Sequence, residues 1–577
     1  MTNQTNSGQV NLAVLGLLLS LVLVLGGALA LYYFKGRTIT LQDISAASKI
    51  SGLEFNQKEK RLMLTDLETN LRNFREMREI SLENSIAPSL VFNPLPSGFD
   101  LTRFRNDTGF NPDEPDEVRL PDNLEDLAFY TVTDLAWLIK HRRIGSEFLT
   151  RLYLERLKKY GPKLRCLVTL TEDLALQQAA RADRELAAGF YRGPLHGIPY
   201  GLKDLLAVRG YPTTWGSPIF KDQQLDIEST VFEKLTEAGA VLVAKLSMGE
   251  LAWGDVWFGG QTLNPWDLEQ GSSGSSAGSA SATAAGLVAF AIGTETWGSI
   301  VSPSTRCGTS GLRPTFGRVS RYGAMALSWS MDKIGPIARS VDDLALIFRY
   351  ITGPDGKDRT VYDLPFSYHS RLDLKKIRVG YLKEAFDRVR NNQGKYLAVL
   401  DVLKEIGLEP VEIKLPAINP NILSFILNVE AAAAFDELTR NNLDDLMVRQ
   451  GRNAWPNVFR QARFIPAVEY LQANRIRTLL IEDLARILKD IDVYLTPSAG
   501  PNLLLTNLTG HPAVVVPCGF DDSGHPLSIS FIGNLFEEGK ALRLAKAYQE
   551  ATGWHLKHPD LSRLDKPESG APDKKLK

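Results

Sequence analysis

Three side chains of this chain have the chemistry needed for nucleophilic catalysis: Lys203, Ser275 and Ser299. A serine hydroxyl attacks well only when a nearby base takes its proton and N–H donors stabilise the oxyanion that forms. Lys203 follows the strand-like GIPYGL, among glycines, prolines and apolar residues. A lysine is more often a solvated surface charge. Burial at this position would lower the pKa of its ammonium group, so that the neutral amine could act as a base.

Both serines lie in residues 271–305, GSSGSSAGSASATAAGLVAFAIGTETWGSIVSPST, where small and hydroxyl residues are concentrated. Small residues allow backbones to approach closely, and Gly-rich turns direct N–H groups into a shared cavity. Gly/Ser-rich composition is also typical of flexible linkers. Here, however, a helix-forming ATAAG segment and an apolar run over 287–292 follow directly. We therefore predict a folded, buried segment, with the apolar run as one strand or helix turn.

The same stretch allows a second interpretation. Residues 274–278, GSSAG, match the G-x-S-x-G nucleophile elbow, in which Ser276 would be the nucleophile. That motif requires a strand directly before it, whereas the preceding NPWDLEQGSS is polar and turn-like. His511 could complete a triad, but its context TGHPAVV is a Gly/Pro turn in which we expect a structural histidine. The elbow is therefore the less favoured interpretation.

Blocks of sequence between residues 130 and 558 resemble the amidase signature family. They include GIPYGLKDLLAVRGYPTTWGS around Lys203, EAGAVLVAKLSMGELA over 237–252 and GGQTLNPWDLEQGSSGSSAGSASATAAG. They continue with GTETWGSIVSPSTRCGTSGLRPTFGRVSR, GPIARSVDDLAL, TPSAGP and TGHPAVVVPCGF. Several independent blocks in the family's order make the resemblance specific.

The resemblance implies a Ser–Ser–Lys hydrolase that uses no histidine. It makes Ser299 the nucleophile and Lys203 the neutral base, with Ser275 as the bridging hydroxyl. Ser275 would follow a cis peptide bond, and Ser276 and Glu295 would support the site. Backbone N–H groups of one turn would form the oxyanion hole: Thr296, Trp297, Gly298 and Ser299.

Residues 295–301 depart from the family's frequent DTGGSIR and read ETWGSIV. Glu295 keeps a carboxylate where Asp is frequent. Trp297 replaces a residue that is often Gly, and Val301 replaces one that is often Arg. The reacting atoms are retained, so we expect the differences to act on the choice of substrate.

Composition excludes several classes of function. Lys+Arg 66 against Asp+Glu 67 gives a net charge of −1, which implies neither nucleic acid nor an acidic partner. The three cysteines, Cys166, Cys307 and Cys518, have neither metal-site nor disulfide-framework spacing. The seven histidines form no HExxH motif. We therefore expect no metal and no cofactor.

Leu12–Phe34 is an uncharged run rich in Leu, Val, Ala and Gly. As a helix it would be roughly 35 Å long, enough to cross the hydrocarbon core of a bilayer. A cleaved signal peptide is the nearest rival because ALA at 28–30 fits a cleavage site, but a basic n-region is missing and the run is too long. We predict a single-pass anchor. Lys35 and Arg37 favour a cytoplasmic catalytic domain, and a periplasmic or secreted placement stays open.

C-terminal to the predicted anchor, the pattern of apolar and polar residues changes twice. Residues 56–82 have the apolar spacing of a helix, and residues 86–122 are rich in Pro, Asn, Asp and Gly, as in an irregular connector. From residue 130, predicted helices alternate with short apolar strands. The predicted helices are 133–140, 146–159 and 173–188, and the predicted strands are 165–170, 241–244, 288–292, 377–381, 493–496 and 513–517.

This alternation predicts an α/β fold with one large mixed β-sheet covered by helices, which is the amidase signature fold that the resemblance implies. An N-terminal transmembrane helix would precede it. We divide the chain into a tail and anchor (1–37), a helical stalk and connector (38–122) and a catalytic domain (123–577).

The function that the resemblance implies is hydrolysis of a carboxylic amide to an acid and an amine or ammonia, through an acyl-enzyme on Ser299. The expected partners are a small-molecule amide and the membrane, through residues 12–34. One alternative is the glutaminase subunit of a tRNA-dependent amidotransferase, against which the anchor and Val301 speak. Another is a membrane-anchored binding protein on an inactive amidase fold. The joint presence of Lys203, Ser275 and Ser299 disfavours that alternative.

Overall fold

The computed structural model describes residues 39–565. The Leu12–Phe34 run, predicted as a membrane anchor, lies outside these residues. Within the described range, no helix combines the length and the apolar character that crossing a bilayer requires. The chain divides into two compact units, one up to Glu83 and one from Asn84 onward.

In the described part of the first unit, from residue 39 onward, there are two helices, α1 (Leu41–Ser51) and α2 (Gln57–Met77). Each begins with a capping box, in which Thr40 and Asn56 accept hydrogen bonds from N–H groups of the first turn. The helix predicted over 56–82 is therefore present, and it ends at Met77.

The second unit includes the irregular connector as well as the expected catalytic domain. The side chain of Asn84 accepts a hydrogen bond from Ala326 N (2.7 Å) and donates one to Ala326 O (2.9 Å). Further along, Phe110–Asn111 pairs in parallel with Tyr368–His369. These contacts between distant parts of the chain place the boundary at Asn84 rather than at residue 123, because they tie the connector to the domain behind it.

An eleven-stranded mixed β-sheet runs through the second unit, as the sequence predicted. Its strands are β1 (Leu167–Leu170), β2 (Pro199–Lys203), β3 (Val241–Leu246), β4 (Phe290–Glu295), β5 (Ser310–Arg313), β6 (Lys333–Ala338), β7 (Val379–Tyr381), β8 (Val411–Glu412), β9 (Val493–Pro497), β10 (Ala513–Phe520) and β11 (Pro526–Gly533). Their spatial order is β8-β7-β9-β11-β10-β5-β6-β4-β2-β3-β1. β2 is parallel to β3 and β4, whereas β6 is antiparallel to both of its neighbours, β4 and β5.

Every residue of β2, β3, β4 and β6 is buried. Strands covered on both faces are near-continuous apolar runs, which is why periodicity alone does not distinguish them from buried helix. The strand predicted over 288–292 runs instead over Phe290–Glu295. The strand extends beyond the apolar run into the Gly/Thr segment, because its backbone pairing with β6 continues as far as Glu295, which lies opposite Lys333. The sequence did not predict β5, β6, β8 and β11.

Helices cover the sheet, among them α10 (Val341–Ile351) against β5 and β6 and α18 (Glu538–Thr552) against β10 and β11. The helices predicted over 133–140, 146–159 and 173–188 are α4 (Val132–Lys140), α5 (Ser146–Leu164) and α6 (Glu172–Ala187). The α-helices of the second unit are α3 (Thr102–Arg105), α4 (Val132–Lys140), α5 (Ser146–Leu164), α6 (Glu172–Ala187), α7 (Thr230–Glu237), α8 (Ala277–Ala284), α9 (Val301–Cys307), α10 (Val341–Ile351), α11 (Lys383–Arg388), α12 (Gln393–Glu405), α13 (Phe425–Ala434), α14 (Asp436–Arg440), α15 (Trp455–Ala462), α16 (Ala467–Ile487), α17 (Pro501–Thr509) and α18 (Glu538–Thr552).

Candidate active site

The candidate site lies at the ends of two neighbouring parallel strands. β2 ends at Lys203 and β4 ends at Glu295, with Leu202 of β2 opposite Ile292 of β4. Because parallel strands finish at the same edge of a sheet, this pairing brings the lysine beside the turn that follows β4.

Lys203 is completely buried among hydroxyl groups. Its Nζ lies within hydrogen-bond distance of Ser275 Oγ (2.8 Å), Thr294 Oγ1 (2.8 Å) and Ser276 Oγ (3.1 Å). Burial lowers the pKa of the amine well below its ordinary value, although the carboxylates of Asp332 and Glu295 act in the opposite direction. The effect of burial outweighs that of the two carboxylates, so the neutral form of the amine is favoured where it contacts the Ser275 hydroxyl.

Ser275 follows a cis peptide bond from Gly274, as the resemblance implied. Gly274 cannot carry a side chain here, because a Cβ would lie 1.8 Å from the carbonyl oxygen of Gly254. The next residue, Ser276, holds this loop to β4. Its Oγ donates to Thr294 O and accepts from Thr294 N, both at 3.1 Å. Small residues therefore serve close backbone approach in this stretch, as the sequence predicted.

The residues before Ser276 differ from the turn-like segment that the sequence predicted. Leu263–Asn264 pairs in antiparallel fashion with Asp267–Gly271, so part of the segment is a short β-hairpin. That prediction was wrong because two short polar strands can satisfy each other's backbone groups without an apolar pattern. The hairpin is separate from the eleven-stranded sheet, and Ser276 is completely buried. The exposed serine of a nucleophile elbow is therefore not present at Ser276.

Ser299 lies in the turn between β4 and α9, and Glu295 holds this turn. Glu295 Oε2 accepts hydrogen bonds from Ile300 N and Val301 N, both at 2.9 Å. Its Oε1 accepts from Arg313 Nη1 (2.8 Å) and Asn507 Nδ2 (2.8 Å). These contacts fix the backbone directly after Ser299.

The carboxyl of Glu295 is completely buried, and its pKa nevertheless lies below the ordinary value. Burial raises the pKa, but the guanidinium of Arg313 and the N–H donors outweigh it. The group is therefore an ionised carboxylate inside the protein, paired and hydrogen-bonded on both oxygens.

Two further features shape the turn itself. Gly298 has a φ of +89°, a conformation that glycine adopts without strain. Thr296 Oγ1 donates to Asp332 Oδ1 at 2.5 Å, which ties the turn to the segment before β6. In the part of the chain that the structure describes, the N–H groups of Trp297, Gly298 and Ser299 donate to no protein acceptor.

The two candidate serines are neighbours through the backbone. Ser276 N donates to Ser299 O at 3.1 Å, which brings the Ser275 loop against the Ser299 turn. Among the described residues no hydrogen bond joins the hydroxyls of Ser275 and Ser299. Ser275 is completely buried, whereas 8% of Ser299 is exposed. Hydrogen bonds between catalytic groups, such as the two serine hydroxyls, are often long without substrate and tighten only in the reacting complex.

A cavity of about 340 Å³ reaches Ser299. Its apolar walls include Trp253, Leu327, Leu427 and Trp455. Trp297 also lines it, with 41% of the residue exposed. None of the described residues that line this cavity carries a charge.

Several residues of the site were missed from the sequence. Thr294 and Arg313 lie within the GTETWGSIVSPSTRCGTSGLRPTFGRVSR block but were given no role, and Asn507 lies outside all the quoted blocks. Asp332 accepts hydrogen bonds from Leu327 N (2.8 Å) and Ser328 N (2.9 Å) in addition to the one from Thr296. Burial raises the pKa of Asp332, although its hydrogen bonds act in the opposite direction.

His511 and the cysteines lie outside this arrangement. His511 is buried, its Nδ1 lies 2.9 Å from Thr509 Oγ1, and burial lowers its pKa to about 3. This is a structural setting, as the sequence predicted. Cys166, Cys307 and Cys518 are buried free thiols whose pKa values burial raises. Within residues 39–565, no three or more His, Cys, Asp or Glu side chains lie together in a way that could hold a metal ion.

Comparison with known proteins places the chain among amidases. A family model described as Amidase matches residues 148–504, more than half of the chain. The A subunit of glutamyl-tRNA(Gln) amidotransferase from Cyanothece sp. is 34% identical over 474 residues, which cover 74% of this chain and 98% of the relative. Its counterpart from Chloroflexus aggregans is 34% identical over 488 residues, which cover 76% of this chain and 100% of the relative.

Solved structures give the same fold. The native peptide amidase from Stenotrophomonas maltophilia matches with a TM-score of 0.67 and 29% identity, covering 74% of this chain and 98% of that one. An amidase family protein from Bacillus anthracis matches with a TM-score of 0.68 and 26% identity, covering 76% of this chain and 94% of that one.

Proposed function

Since this chain belongs to the amidase signature family and is an amide hydrolase, we propose that it forms an acyl-enzyme on Ser299, with Ser275 and Lys203 as the proton relay. The observation that carries this proposal is the contact of 2.8 Å between the completely buried Lys203 Nζ and Ser275 Oγ. A buried amine held against a hydroxyl is a base that works without histidine.

The relay moves one proton in each direction. As Ser299 Oγ attacks the amide carbonyl carbon, its proton passes to Ser275 Oγ, and the Ser275 proton passes to Lys203 Nζ. The reverse transfer protonates the amide nitrogen, the C–N bond breaks, and the amine or ammonia leaves. A water molecule then attacks the acyl ester through the same relay, which releases the carboxylic acid and restores Ser299.

The turn around Ser299 is our candidate for the oxyanion hole. Its N–H groups from Thr296 to Ser299 would donate to the carbonyl oxygen as negative charge develops there, a contribution of about a hundredfold to a thousandfold per donor. The absence of protein acceptors for Trp297, Gly298 and Ser299 within the described chain supports this role. Glu295 acts as a positioning residue, because it holds the N–H groups that follow Ser299.

The cavity favours a neutral amide as the substrate. Its lining offers indoles and aliphatic side chains together with Ser302 and Asn428, but no described charged residue. Free glutamine carries an ammonium and a carboxylate, which are costly to bring into such surroundings without charged partners. Glutamine hydrolysis nevertheless remains the second candidate function, because the relatives include amidotransferase A subunits that match over almost their whole length.

A substrate panel separates the two candidates. Purified wild-type chain and Ser299→Ala would be compared on neutral aryl amides, C-terminally amidated peptides and glutamine. We expect hydrolysis of neutral amides by the wild type only, with a kcat/KM well above that for glutamine. Activity confined to glutamine would favour the amidotransferase-type glutaminase. A folded wild-type chain that hydrolyses none of these compounds would favour a binding protein on an inactive fold.

We also propose that Leu12–Phe34 anchors the enzyme in a membrane, with the catalytic domain on the cytoplasmic side. The uncharged run and the following Lys35 and Arg37 support this proposal. The full chain should then stay in the membrane fraction after a carbonate wash. Recovery of a mature chain that begins at Leu31 would show a cleaved signal peptide instead.

A further inference from the structure

We propose that a second cavity beside Ser299 binds an apolar extension of the substrate, so that this enzyme acts on neutral amides with a long aromatic or aliphatic group on one side of the scissile bond. We call it the strap cavity, because residues 84–92, here the strap, form one of its walls. Its volume is about 400 Å³. This inference rests on the proposed acyl-enzyme mechanism at Ser299.

The strap cavity adjoins the cavity of about 340 Å³ that reaches Ser299, here the nucleophile cavity. Ala252, Thr296 and Leu327 line both of them, so the two cavities share this part of their walls. Thr296 belongs to the turn that carries Ser299. An extension of a substrate bound at Ser299 would therefore enter the strap cavity past this shared wall.

Apolar residues form a large part of the wall of the strap cavity. Leu205, Met325 and Leu327 are each no more than 5% exposed, and Trp329 and Ile334 add further apolar surface. Burial of an aromatic or aliphatic group against such a wall is favourable, because it removes apolar surface from water.

Five of the six charged residues of the wall have partners among the described residues, including Lys333, whose Nζ donates to Met331 O. The sixth, Arg359, has no such partner and is exposed to solvent. Arg321 Nε lies 3.1 Å from Asp358, and Lys357 Nζ lies 2.9 Å from Glu233. Asp332 accepts its three hydrogen bonds from protein groups. The wall therefore favours a neutral extension over an ionic one, in agreement with the uncharged lining of the nucleophile cavity.

The strap is held at both ends. Asn84 bonds the backbone of Ala326 through two hydrogen bonds, and Phe92 packs edge-on against Phe316 with ring centroids 5.0 Å apart. The guanidinium of Arg477 lies 3.5 Å from the centroid of the Phe92 ring. The strap precedes residue 148, where the match to the amidase family begins, so this wall is outside the region that the chain shares with the family model.

The test fills the strap cavity at positions that do not line the nucleophile cavity. Ala87 is exposed and Ala326 is partly exposed, and both line the strap cavity, so we choose Ala87→Trp and, as an independent second variant, Ala326→Phe. Ala433 is an exposed alanine in the lining of a neighbouring cavity of about 460 Å³ and is absent from the strap cavity lining, so Ala433→Trp is the matched control.

Two pairs of substrates probe the two sides of the amide. The p-nitroanilides of acetic acid and 4-phenylbutyric acid differ on the acyl side, and N-methylacetamide and N-(4-phenylbutyl)acetamide differ on the amine side. In one pair we expect the wild type to prefer the longer member by a factor of ten or more in kcat/KM. Both filling variants should abolish that preference with the short member unaffected, and Ala433→Trp should retain it. Calorimetry with Ser299→Ala should show tighter binding of the longer member of that pair, and Ala87→Trp in this background should remove the difference.

The result that would overturn the inference is a wild type with no preference for the longer member of either pair. Filling variants that fold and keep the preference, or that lose activity equally on long and short members, would also overturn it. These failures differ from failure of the proposed mechanism, in which the wild type would hydrolyse neither short nor long amides and Ser299 would take no covalent label.

Discussion

Glu295 and Arg313 form a completely buried ion pair, with 2.8 Å between Glu295 Oε1 and Arg313 Nη1. The other oxygen of the same carboxylate holds the two N–H groups that follow Ser299. One buried carboxylate thus joins the interior of the sheet to the turn that carries the nucleophile.

Removal of this charge should weaken both the fold and the site. Glu295→Gln keeps the shape of the side chain but leaves Arg313 buried without its counter-charge, which we expect to cost about 3–5 kcal/mol in the free energy of unfolding. Denaturant unfolding measures this loss. Glu384→Gln, which breaks an exposed pair with Arg388, is the control and should change the stability little. Equal stabilities of the Glu295 variant and the control would contradict the expected cost of leaving Arg313 buried without its counter-charge. A kcat of Glu295→Gln equal to that of the wild type, at a pH where both are folded, would contradict the positioning role.

The relay predicts losses that do not add. Ser275→Ala and Lys203→Ala should each lower kcat by a factor of about a hundred or more, because proton transfer contributes roughly 10²–10⁴-fold. The double variant should be about as slow as the slower single variant, because both residues act in one relay. Steady-state kinetics on one neutral amide measures all four proteins, with circular dichroism as the control for folding. Losses that multiply would show that the two residues act independently.

The fold was largely predictable from the sequence, and the reasons are local. β3, β7, β9 and β10 are apolar runs bounded by turn residues, and α5 has the spacing of an amphipathic helix. β5 and β6 were missed because SGLR and KIGPIA contain glycine, proline or charge within the strand. Their burial depends on pairing with strands that are distant in the sequence, which no local pattern reveals.

The site was predictable to a smaller extent. The family motifs indicated Lys203, Ser275 and Ser299, and the structure brings Lys203 into contact with Ser275. The environment of these residues was not predictable, because Asp332 and Asn507 approach the site only through the tertiary fold. The strap wall was assigned to an irregular connector, since its composition carries no sign of the contact between Asn84 and Ala326.

The pH dependence of the rate follows from the lowered pKa of Lys203. Only the neutral amine accepts a proton, so kcat/KM should fall as the pH drops through this lowered pKa and should be constant above it. The unfolded chain has an ordinary lysine pKa and binds more protons between the two values, so the free energy of unfolding should also decrease as the pH falls in that range. A pH–rate profile, restricted to pH values where the protein is folded, measures the effect. A rate that rises toward acid pH would contradict a neutral lysine base.

Trp297 should govern which acyl groups the enzyme accepts. Its indole lines the cavity next to Ser299, so Trp297→Gly removes apolar surface and opens space there. We expect the ratio of kcat/KM between bulky and small acyl groups to change while activity is retained. Kinetics on a series of p-nitroanilides with acyl chains of increasing size measures this ratio. An equal loss on every member of the series would assign the indole to the integrity of the turn instead.

The covalent intermediate on Ser299 is the central claim, and active-site labelling tests it most directly. The wild-type chain would be treated with a fluorophosphonate, digested and analysed by peptide mass spectrometry. We predict one adduct on Ser299, no adduct in Ser299→Ala, and slower labelling in Lys203→Ala and Ser275→Ala. An adduct on Ser276, or a folded wild-type chain that takes no label, would contradict the mechanism.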